Sequence, residues 1–219
     1  MPKKGFIFDL DGVIVDTAKY HYFAWKKLAE SIGVSFTEED NEHLKGVSRI
    51  KSLETILQWG NITLSDEDFQ ELITRKNEDY LSFVNTMTKA EILPEVPRVF
   101  QFLKEQNQPM ALGSASKNAQ SILKKVGLFE SFQTIVDGTK VTKAKPDPEV
   151  FLKAAEGLQV APKDCIVFED ALAGIQAANT AGMLSIGIGD AVILHEANYV
   201  FKDFTEISNE FLYKLISAS

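Results

Sequence analysis

Cysteine is almost absent from this chain, since Cys165 is the only one among its 219 residues. A single thiol cannot form an internal disulfide, which excludes the small secreted domains that depend on disulfides for their stability. Cys165 begins a short apolar run, so we interpret it as a buried structural thiol. The scarcity of cysteine fits a reducing compartment, and we expect a cytoplasmic protein.

Long hydrophobic runs are also missing. No stretch approaches the ~20 consecutive apolar residues that a membrane-spanning helix needs, so we expect no membrane partner. The start Met-Pro-Lys-Lys is basic, but only a few apolar residues follow it before Asp9. These residues are too few for the apolar region of a signal peptide.

Basic residues are outnumbered, because 23 lysines and arginines stand against 31 acids and the net charge is −8. This balance argues against a nucleic-acid partner and favours solubility, and we expect a monomer. Any phosphate-binding site in such a chain must be basic locally. The positions of Lys45, Arg49, Lys117 and Lys145 are therefore informative.

The hydrophobic residues, which make up 45% of the chain, fall into two patterns. From 17 to 87 they follow helical spacing, whereas from Ile92 onward helical segments alternate with short apolar runs. That alternation predicts a parallel sheet with helices on both faces, to which the apolar run before Asp9 also belongs. The predicted segments are helix 96–106, strand 110–113, helix 117–127, strand 134–136, helix 148–158, strand 165–168, helix 172–181 and strand 184–188. We expect an α/β fold: a Rossmann-like three-layer core of residues 1–16 and 88–219, and an inserted α-helical cap domain of residues 17–87.

The clearest helix of the insertion begins after Ser65, a residue type that is favoured at helix N-caps. From Phe69 to Met87, apolar residues recur at helical spacing along one stripe. Lys76 is the one charge on that stripe. Its side chain is therefore expected either to reach the edge of the helix or to point into a cleft.

The most informative segment is Gly5-Phe-Ile-Phe-Asp9-Leu-Asp11-Gly12, in which a short apolar strand ends in two acids. Gly12 gives the backbone the freedom to leave the strand sharply. Ligands of open α/β sheets bind beyond the carboxyl ends of the strands, which is where Asp9 and Asp11 stand. Taken alone, the segment also fits a strand followed by an Asx turn that has no chemical role.

Three further segments place polar residues at the ends of predicted strands or in the loops between them. Ser114 and Ser116 precede a predicted helix, an arrangement in which hydroxyls and free backbone N–H groups can bind an anion. Lys145 lies in a loop whose two prolines fix the backbone and hold its charge in place. Glu169 and Asp170 end another apolar run. Each segment has a structural alternative, such as a helix cap or a solvated charge, but four in this order are hard to explain by capping alone.

At these segments the chain resembles the haloacid dehalogenase-like phosphotransferase superfamily, over essentially its whole length. The superfamily's four motifs match, in order, Asp9-Leu10-Asp11, Ser114, Lys145 and Glu169-Asp170. The resemblance narrows to the β-phosphoglucomutase subfamily, because the stretch from Tyr20 to Arg49 is similar to the cap of that subfamily. Val15 and Gly113 differ from the subfamily pattern, and neither stands where chemistry is expected.

The resemblance implies a set of site residues in both the core and the cap. Catalytic roles are implied for Asp9, Asp11, His21, Lys45, Ser114 and Lys145. Substrate contacts are implied for Asp9, Asp11, Trp25, Gly46, Val47, Ser48, Arg49, Ser52, Lys76, Ser114, Ala115, Ser116, Lys117, Asn118 and Lys145. Without the resemblance, the better interpretation of His21 would be a satisfied surface histidine on a helix flank, and that of Lys45 and Arg49 a solvated basic patch.

The resemblance also implies a mechanism and a cofactor. Asp9 would attack phosphorus and carry it as an aspartyl phosphate, while Asp11 acts as general acid and base. Mg²⁺ is the implied cofactor, held by Asp9, the backbone carbonyl of Asp11 and Asp170, with Glu169 as a direct or water-mediated ligand. The four motifs contain no histidine or cysteine, which argues against zinc.

The implied function is the interconversion of β-glucose 1-phosphate and glucose 6-phosphate through β-glucose 1,6-bisphosphate. A hexose phosphate and this bisphosphate are thus the expected partners. One alternative is a sugar-phosphate phosphatase on the same fold, with water as the acceptor. Another is a catalytically silent binding protein that keeps the fold as a scaffold, although the joint presence of Asp9, Asp11, Lys145 and Asp170 speaks against it.

Overall fold

Six parallel strands form the centre of the structure, a computed structural model that describes residues 3–217. They are β1 Gly5–Phe8, β2 Met110–Gly113, β3 Thr134–Val136, β4 Cys165–Glu169, β5 Leu184–Ile188 and β6 Tyr199–Phe201. In the sheet their order is β3-β2-β1-β4-β5-β6. The chain therefore builds outward on one side of β1 and then returns to build outward on the other. This reversal makes a topological switch point at the carboxyl end of β1, where ligands of such sheets bind.

Helices cover the sheet and form the insertion. They are α1 Ala18–Ser31, α2 Glu38–His43, α3 Arg49–Trp59, α4 Asp66–Val84, α5 Val96–Glu105, α6 Ala119–Val126, α7 Glu149–Leu158, α8 Leu172–Thr180 and α9 Asn209–Ser217. No helix among residues 3–217 combines the length and the apolar character needed to cross a membrane.

Side chains of β1 alternate between the two faces of the sheet, as they do in any strand. Phe6 and Phe8 enter the larger core cluster, where the ring of Phe8 stacks on that of Phe168 at 4.8 Å between centroids. Ile7 points the other way, into a second cluster that contains Phe151. Because both faces are buried, the strand is apolar throughout and holds the acids that follow it rigidly.

The four helices α1–α4 follow β1 directly, and the structure describes no strand between Ala18 and Val84. The apolar faces of α1, α3 and α4 meet in a core of their own, built around Leu28, Leu53 and Ile56 and joined by Leu44 just after α2. We call this helical unit the cap. Tyr80, near the end of α4, instead packs into the core cluster beside the sheet, so α4 connects the cap to the strands.

The predicted fold class, a three-layer α/β core with an inserted helical cap, is confirmed. Ser65 caps α4 as predicted, since its hydroxyl accepts the backbone N–H of Asp68 at 3.1 Å. The helix predicted to open at Lys117 begins at Ala119 instead, because hydroxyl groups hold the preceding residues in turns. Strand β6 and helix α9 were not predicted from the sequence; β6 is a three-residue edge strand with no buried residue, and no helix separates it from β5.

Candidate active site

Asp9 and Asp11 lie at the carboxyl end of β1, at the switch point of the sheet. Asp9 is only 5% exposed, and its carboxylate accepts the backbone N–H of Asp11 at 3.0 Å. Gly12 follows with φ +79°, and a Cβ there would stand 2.1 Å from a carboxylate oxygen of Asp170. Gly12 is thus needed both for the turn and for the close approach of Asp170.

Lys145 is the cation that faces Asp9. Its Nζ donates to Asp9 Oδ1 at 2.6 Å and lies 3.4 Å from both carboxylate oxygens of Glu169. Burial favours the neutral amine, but Asp9 and Glu169 outweigh it and raise the pKa of Lys145 above its ordinary value. Lys145 therefore stays charged although it is only 4% exposed.

Three carboxylates converge beside this lysine. Ligand atoms of Asp9, Glu169 and Asp170 all lie within 4.8 Å of one another. Burial, above all, raises the pKa of both Glu169 and Asp170, because two buried negative charges beside Asp9 are unfavourable. Lys145, together with Lys45 at 3.6 Å from Asp170, supplies two positive charges to three carboxylates, and an all-oxygen donor set suits a hard divalent cation such as Mg²⁺.

Ser114 and Ser116 follow β2 and lie beside Asp9 in the same cleft. The hydroxyl of Ser114 accepts the backbone N–H of Ser116 at 3.1 Å, and that of Ser116 accepts the N–H of Asn118 at 3.2 Å. Two of the backbone N–H groups that were predicted to bind an anion therefore already donate hydrogen bonds within the loop. The Ser114 hydroxyl keeps its own hydrogen for a ligand, because it acts here as an acceptor.

Asp11 turns its carboxylate toward the cap. Oδ1 accepts the hydroxyl of Thr17, lies 3.5 Å from the Tyr80 hydroxyl and 3.9 Å from His21 Nε2. Burial and the charge of Asp9 raise the pKa of Asp11 to about 6. Neither Thr17 nor Tyr80 was predicted to contact Asp11, although Tyr80 lies one helical turn after Lys76 on the stripe of α4.

The side chain of Lys76, predicted to reach the edge of the helix or to point into a cleft, points into the cleft. It is almost fully buried, and its Nζ lies 3.0 Å from His21 Nδ1. The same nitrogen stands over the rings of Trp25, at 4.5 Å, and Tyr80, at 4.9 Å. Burial and the charge of Arg49 lower the pKa of Lys76 to about 7, and burial also lowers that of His21 well below its usual value.

The loop between α2 and α3 brings the cap onto the core. Lys45 Nζ lies 2.9 Å from Glu42 and 3.6 Å from Asp170. Gly46, with φ +70°, approaches so closely that a Cβ would stand 3.0 Å from the Cβ of Ala171. A larger residue at this point would hold the cap away from the core.

Ser48, Arg49 and Ser52 continue this wall of the cleft. The Ser48 hydroxyl caps α3 by accepting the N–H of Lys51 at 3.3 Å, and the Ser52 hydroxyl donates to the Ser48 carbonyl at 3.1 Å. Both hydroxyls thus bond within the helix. Arg49 is half-buried, and burial lowers the pKa of its guanidinium.

One cleft of about 400 Å³ between the cap and the core collects the predicted residues. Its walls include Asp9, Asp11, His21, Trp25, Lys45, Gly46, Val47, Ser48, Arg49, Ser52, Lys76, Ser114, Ala115, Ser116, Lys117, Asn118, Lys145 and Asp170. Glu169 does not line the cleft, because it is fully buried behind Lys145. Across the cleft, the amide of Asn118 donates to Asn77 on α4 at 3.1 Å, a contact that the sequence did not reveal.

The chain is similar to known proteins both in sequence and in structure. A family model described as haloacid dehalogenase-like hydrolase matches residues 3–182. The chain is 43% identical over 213 residues to β-phosphoglucomutase of Bacillus subtilis, covering 96% of this chain and 94% of that one. A crystal structure of β-phosphoglucomutase from Clostridium difficile superposes with a TM-score of 0.93 at 41% identity, covering 98% and 97% of the two chains. The chain is also 31% identical over 204 residues to a phosphorylated carbohydrates phosphatase of Thermotoga maritima, covering 89% and 91%.

Proposed function

The chain belongs to the haloacid dehalogenase-like hydrolase family, and from this premise we propose that it is a Mg²⁺-dependent β-phosphoglucomutase. In this role it interconverts β-glucose 1-phosphate and glucose 6-phosphate through β-glucose 1,6-bisphosphate. The observation that carries the proposal is the shared cleft, in which the paired Asp9 and Lys145 of the core face Lys45 and Arg49 of the cap. A single sugar with a phosphate at each end fits between two such sets of groups.

Asp9 is the proposed nucleophile, which receives a phosphoryl group and later returns it to the sugar. Lys145, already 2.6 Å from Asp9, and the free hydroxyl hydrogen of Ser114 are placed to hold the phosphoryl oxygens. Asp9, Asp170 and the backbone carbonyl of Asp11 would hold Mg²⁺, with Glu169 as a direct or water-mediated ligand. When bound, the ion offsets the negative charge of the phosphate and so allows an anionic carboxylate to attack it.

Asp11 is the proposed general acid and base, a role that contributes roughly 10²- to 10⁴-fold in rate. It would protonate the leaving sugar oxygen and later take the proton of the incoming hydroxyl. Its carboxylate now bonds to Thr17 at the start of α1 and lies near Tyr80 on α4. Movement of these helices changes the surroundings of Asp11, which couples its proton transfers to closure of the cap.

The acceptor of the phosphate separates this proposal from its alternative. In a mutase a sugar hydroxyl must reach the aspartyl phosphate before water does, so the cleft must exclude water when sugar is bound. The cap supplies groups that would contact the sugar. His21 lies beside Asp11, and Arg49 lines the cap wall of the cleft. A sugar-phosphate phosphatase on the same fold, as the relative from Thermotoga maritima is named, would use water as the acceptor.

The test is to incubate the enzyme with β-glucose 1-phosphate, a trace of the 1,6-bisphosphate and Mg²⁺. We expect glucose 6-phosphate to accumulate with little free phosphate, and we expect chelation of the metal to stop the reaction. Asp9→Asn should abolish both turnover and phosphoenzyme formation. Free phosphate as the main product would support the phosphatase, and phosphoenzyme in the Asn variant would exclude Asp9 as the nucleophile.

A further inference from the structure

Helix α2 carries one buried residue, and that residue is polar. Asn41 is only 7% exposed, whereas its neighbours Glu39 and Glu42 face solvent. The inward position of a helix in a small domain usually holds an apolar side chain, as Leu44 does one turn later. An asparagine at this position therefore calls for a polar partner.

No such partner lies within residues 3–217. The backbone of Asn41 is satisfied, since its N–H donates to Thr37 and its carbonyl accepts from Leu44. The side-chain hydrogen bonds of this helix run between Thr37 and Asp40, and the residues from 3 to 217 offer none to the Asn41 amide. No side-chain nitrogen or oxygen in that range is both fully enclosed and unpaired, so the amide must still touch open space. Asn41 lines the cleft, and we therefore take the cleft as the open space that its amide meets.

The surroundings of Asn41 indicate which ligand group it meets. Lys45, Arg49 and Lys145 supply the charges that phosphate oxygens require, and each lines the same cleft. Asn41 is neutral and lies four residues before Lys45, which reaches the core at Asp170. An amide offers one acceptor and two donors, which matches a hydroxyl that both donates and accepts.

We propose that Asn41 is a specificity-determining residue that hydrogen-bonds a ring hydroxyl of the hexose held between the two phosphate-binding ends of the cleft. The inference rests on the proposed function, because it takes a phosphorylated sugar as the ligand. A buried amide left unpaired disfavours any ligand that lacks the matching hydroxyl. Asn41 therefore selects the sugar, while the cations select its phosphates.

The experiment compares wild type with Asn41→Leu, which keeps the approximate size of the side chain and removes its hydrogen bonds. We measure kcat/KM with β-glucose 1-phosphate and with its 2-, 3- and 4-deoxy analogues, at saturating bisphosphate and Mg²⁺. The variant should lose on the order of 10- to 100-fold with the full sugar. For the wild type, kcat/KM should fall by a similar factor with one of the deoxy analogues. For the variant, kcat/KM with that analogue should be close to its value with the full sugar, because the hydrogen bond is already absent. Gln58→Leu, which removes an exposed amide from α3, is the matched control and should change nothing.

Two further measurements separate specificity from folding and from the proposed function. Phosphorylation of Asp9 by acetyl phosphate uses no sugar, so its rate and the hydrolysis of the phosphoenzyme should be the same in Asn41→Leu and wild type. If the leucine variant does not fold, Asn41→Ala is used in the same comparison. Equal losses with all deoxy analogues, or no loss at all, would overturn the inference. If wild type releases phosphate and forms no glucose 6-phosphate, the mutase proposal fails, and the same comparison on kcat/KM for hydrolysis still decides the role of Asn41.

Discussion

At the scale of single residues, the position of Lys145 depends on a carboxylate outside the cleft. Glu149 Oε2 accepts the backbone N–H of Thr142 at 2.9 Å and that of Lys143 at 2.7 Å. Its other oxygen accepts Lys153 Nζ at 2.6 Å. The hydrogen bond from Lys153, followed by the Lys143 N–H, lowers the pKa of Glu149 to about 2. The loop that carries Lys145 is thus tied to the first turn of α7.

We predict that Glu149→Gln lowers kcat by about tenfold and leaves KM within about twofold, because Lys145 then moves relative to the transferring phosphoryl group. Steady-state kinetics at saturating Mg²⁺ measures the two constants. Glu149→Asp, which keeps the charge, should recover part of the loss. The control is Glu156→Ala, which removes an exposed carboxylate from the same helix, away from the loop and the cleft. Equal effects of the control and the Gln variant would contradict a positioning role.

At the scale of elements, the cap is a unit with its own apolar core. Tyr80 at the base of the cap packs into the core cluster beside the sheet, and the contacts across the cleft are polar. One of these is the 3.1 Å hydrogen bond from Asn118 before α6 to Asn77 on α4. Another is the 3.6 Å approach of Lys45 to Asp170. Contacts of this kind, unlike a continuous apolar interface, can break and re-form as a substrate enters and leaves.

We predict that Asn77→Ala shifts the ligand-free protein toward an open cap, because it removes the acceptor for the Asn118 amide. Spin labels on cysteines introduced at the exposed Lys51 and Lys104 would report the distance from cap to core. The native thiol does not interfere, since burial raises the pKa of Cys165 to about 12 and keeps it protonated. Asn85→Ala, an exposed position just after α4, should leave the distance distribution unchanged. The idea fails if the Asn77 variant and wild type give the same distribution with and without a sugar bisphosphate.

Patterns along the chain predicted those elements whose burial is regular. Strands β2 and β5 were predicted residue for residue, because each is a short apolar run enclosed on both faces. Strand β6 was not predicted, because it has no buried residue and follows β5 without the intervening helix that marks the other strands after β2. The residues of the site also divide into those that a local pattern predicts and those that it does not. The motifs identified Asp9 and Lys145, whereas the contact of Tyr80 with Asp11 joins positions 69 residues apart and depends on how the cap docks.

At the scale of the whole molecule, the cleft has the opposite charge to the chain. The net charge is −8, yet the walls of the cleft carry more cations than carboxylates. The cations are Lys45, Arg49, Lys76, Lys117, Lys143 and Lys145, and the carboxylates are Asp9, Asp11 and Asp170. Part of this positive charge belongs to the cap and part to the core. In the proposed function, closure of the cap would bring both parts around one anionic substrate.

The presence of cations on both the cap and the core should determine whether the phosphoryl group on Asp9 is transferred to sugar or to water. Arg49 lies on the cap wall, and its forked guanidinium suits a phosphate at the end of the substrate that is not reacting. Binding energy from that distant phosphate would be used to close the cap and organise the reacting end. We predict that Arg49→Ala lowers mutase turnover on the order of 100-fold or more and changes the hydrolysis of the aspartyl phosphate by less than about twofold.

The ratio of the two activities is the quantity to measure, because a general loss of folding lowers both together. Phosphoenzyme is prepared with acetyl phosphate, and one portion is kept in buffer while another receives glucose 1-phosphate. The amounts of glucose 6-phosphate and free phosphate that form are then measured. His21→Ala should shift the ratio in the same direction, since His21 lies 3.9 Å from Asp11 on the side of the cap. Lys51→Ala removes an exposed cation two residues from Arg49 and should leave the ratio unchanged. If Arg49→Ala and His21→Ala lose both activities in equal proportion, the cap acts only as a lid, and a phosphatase becomes the better account of this cleft.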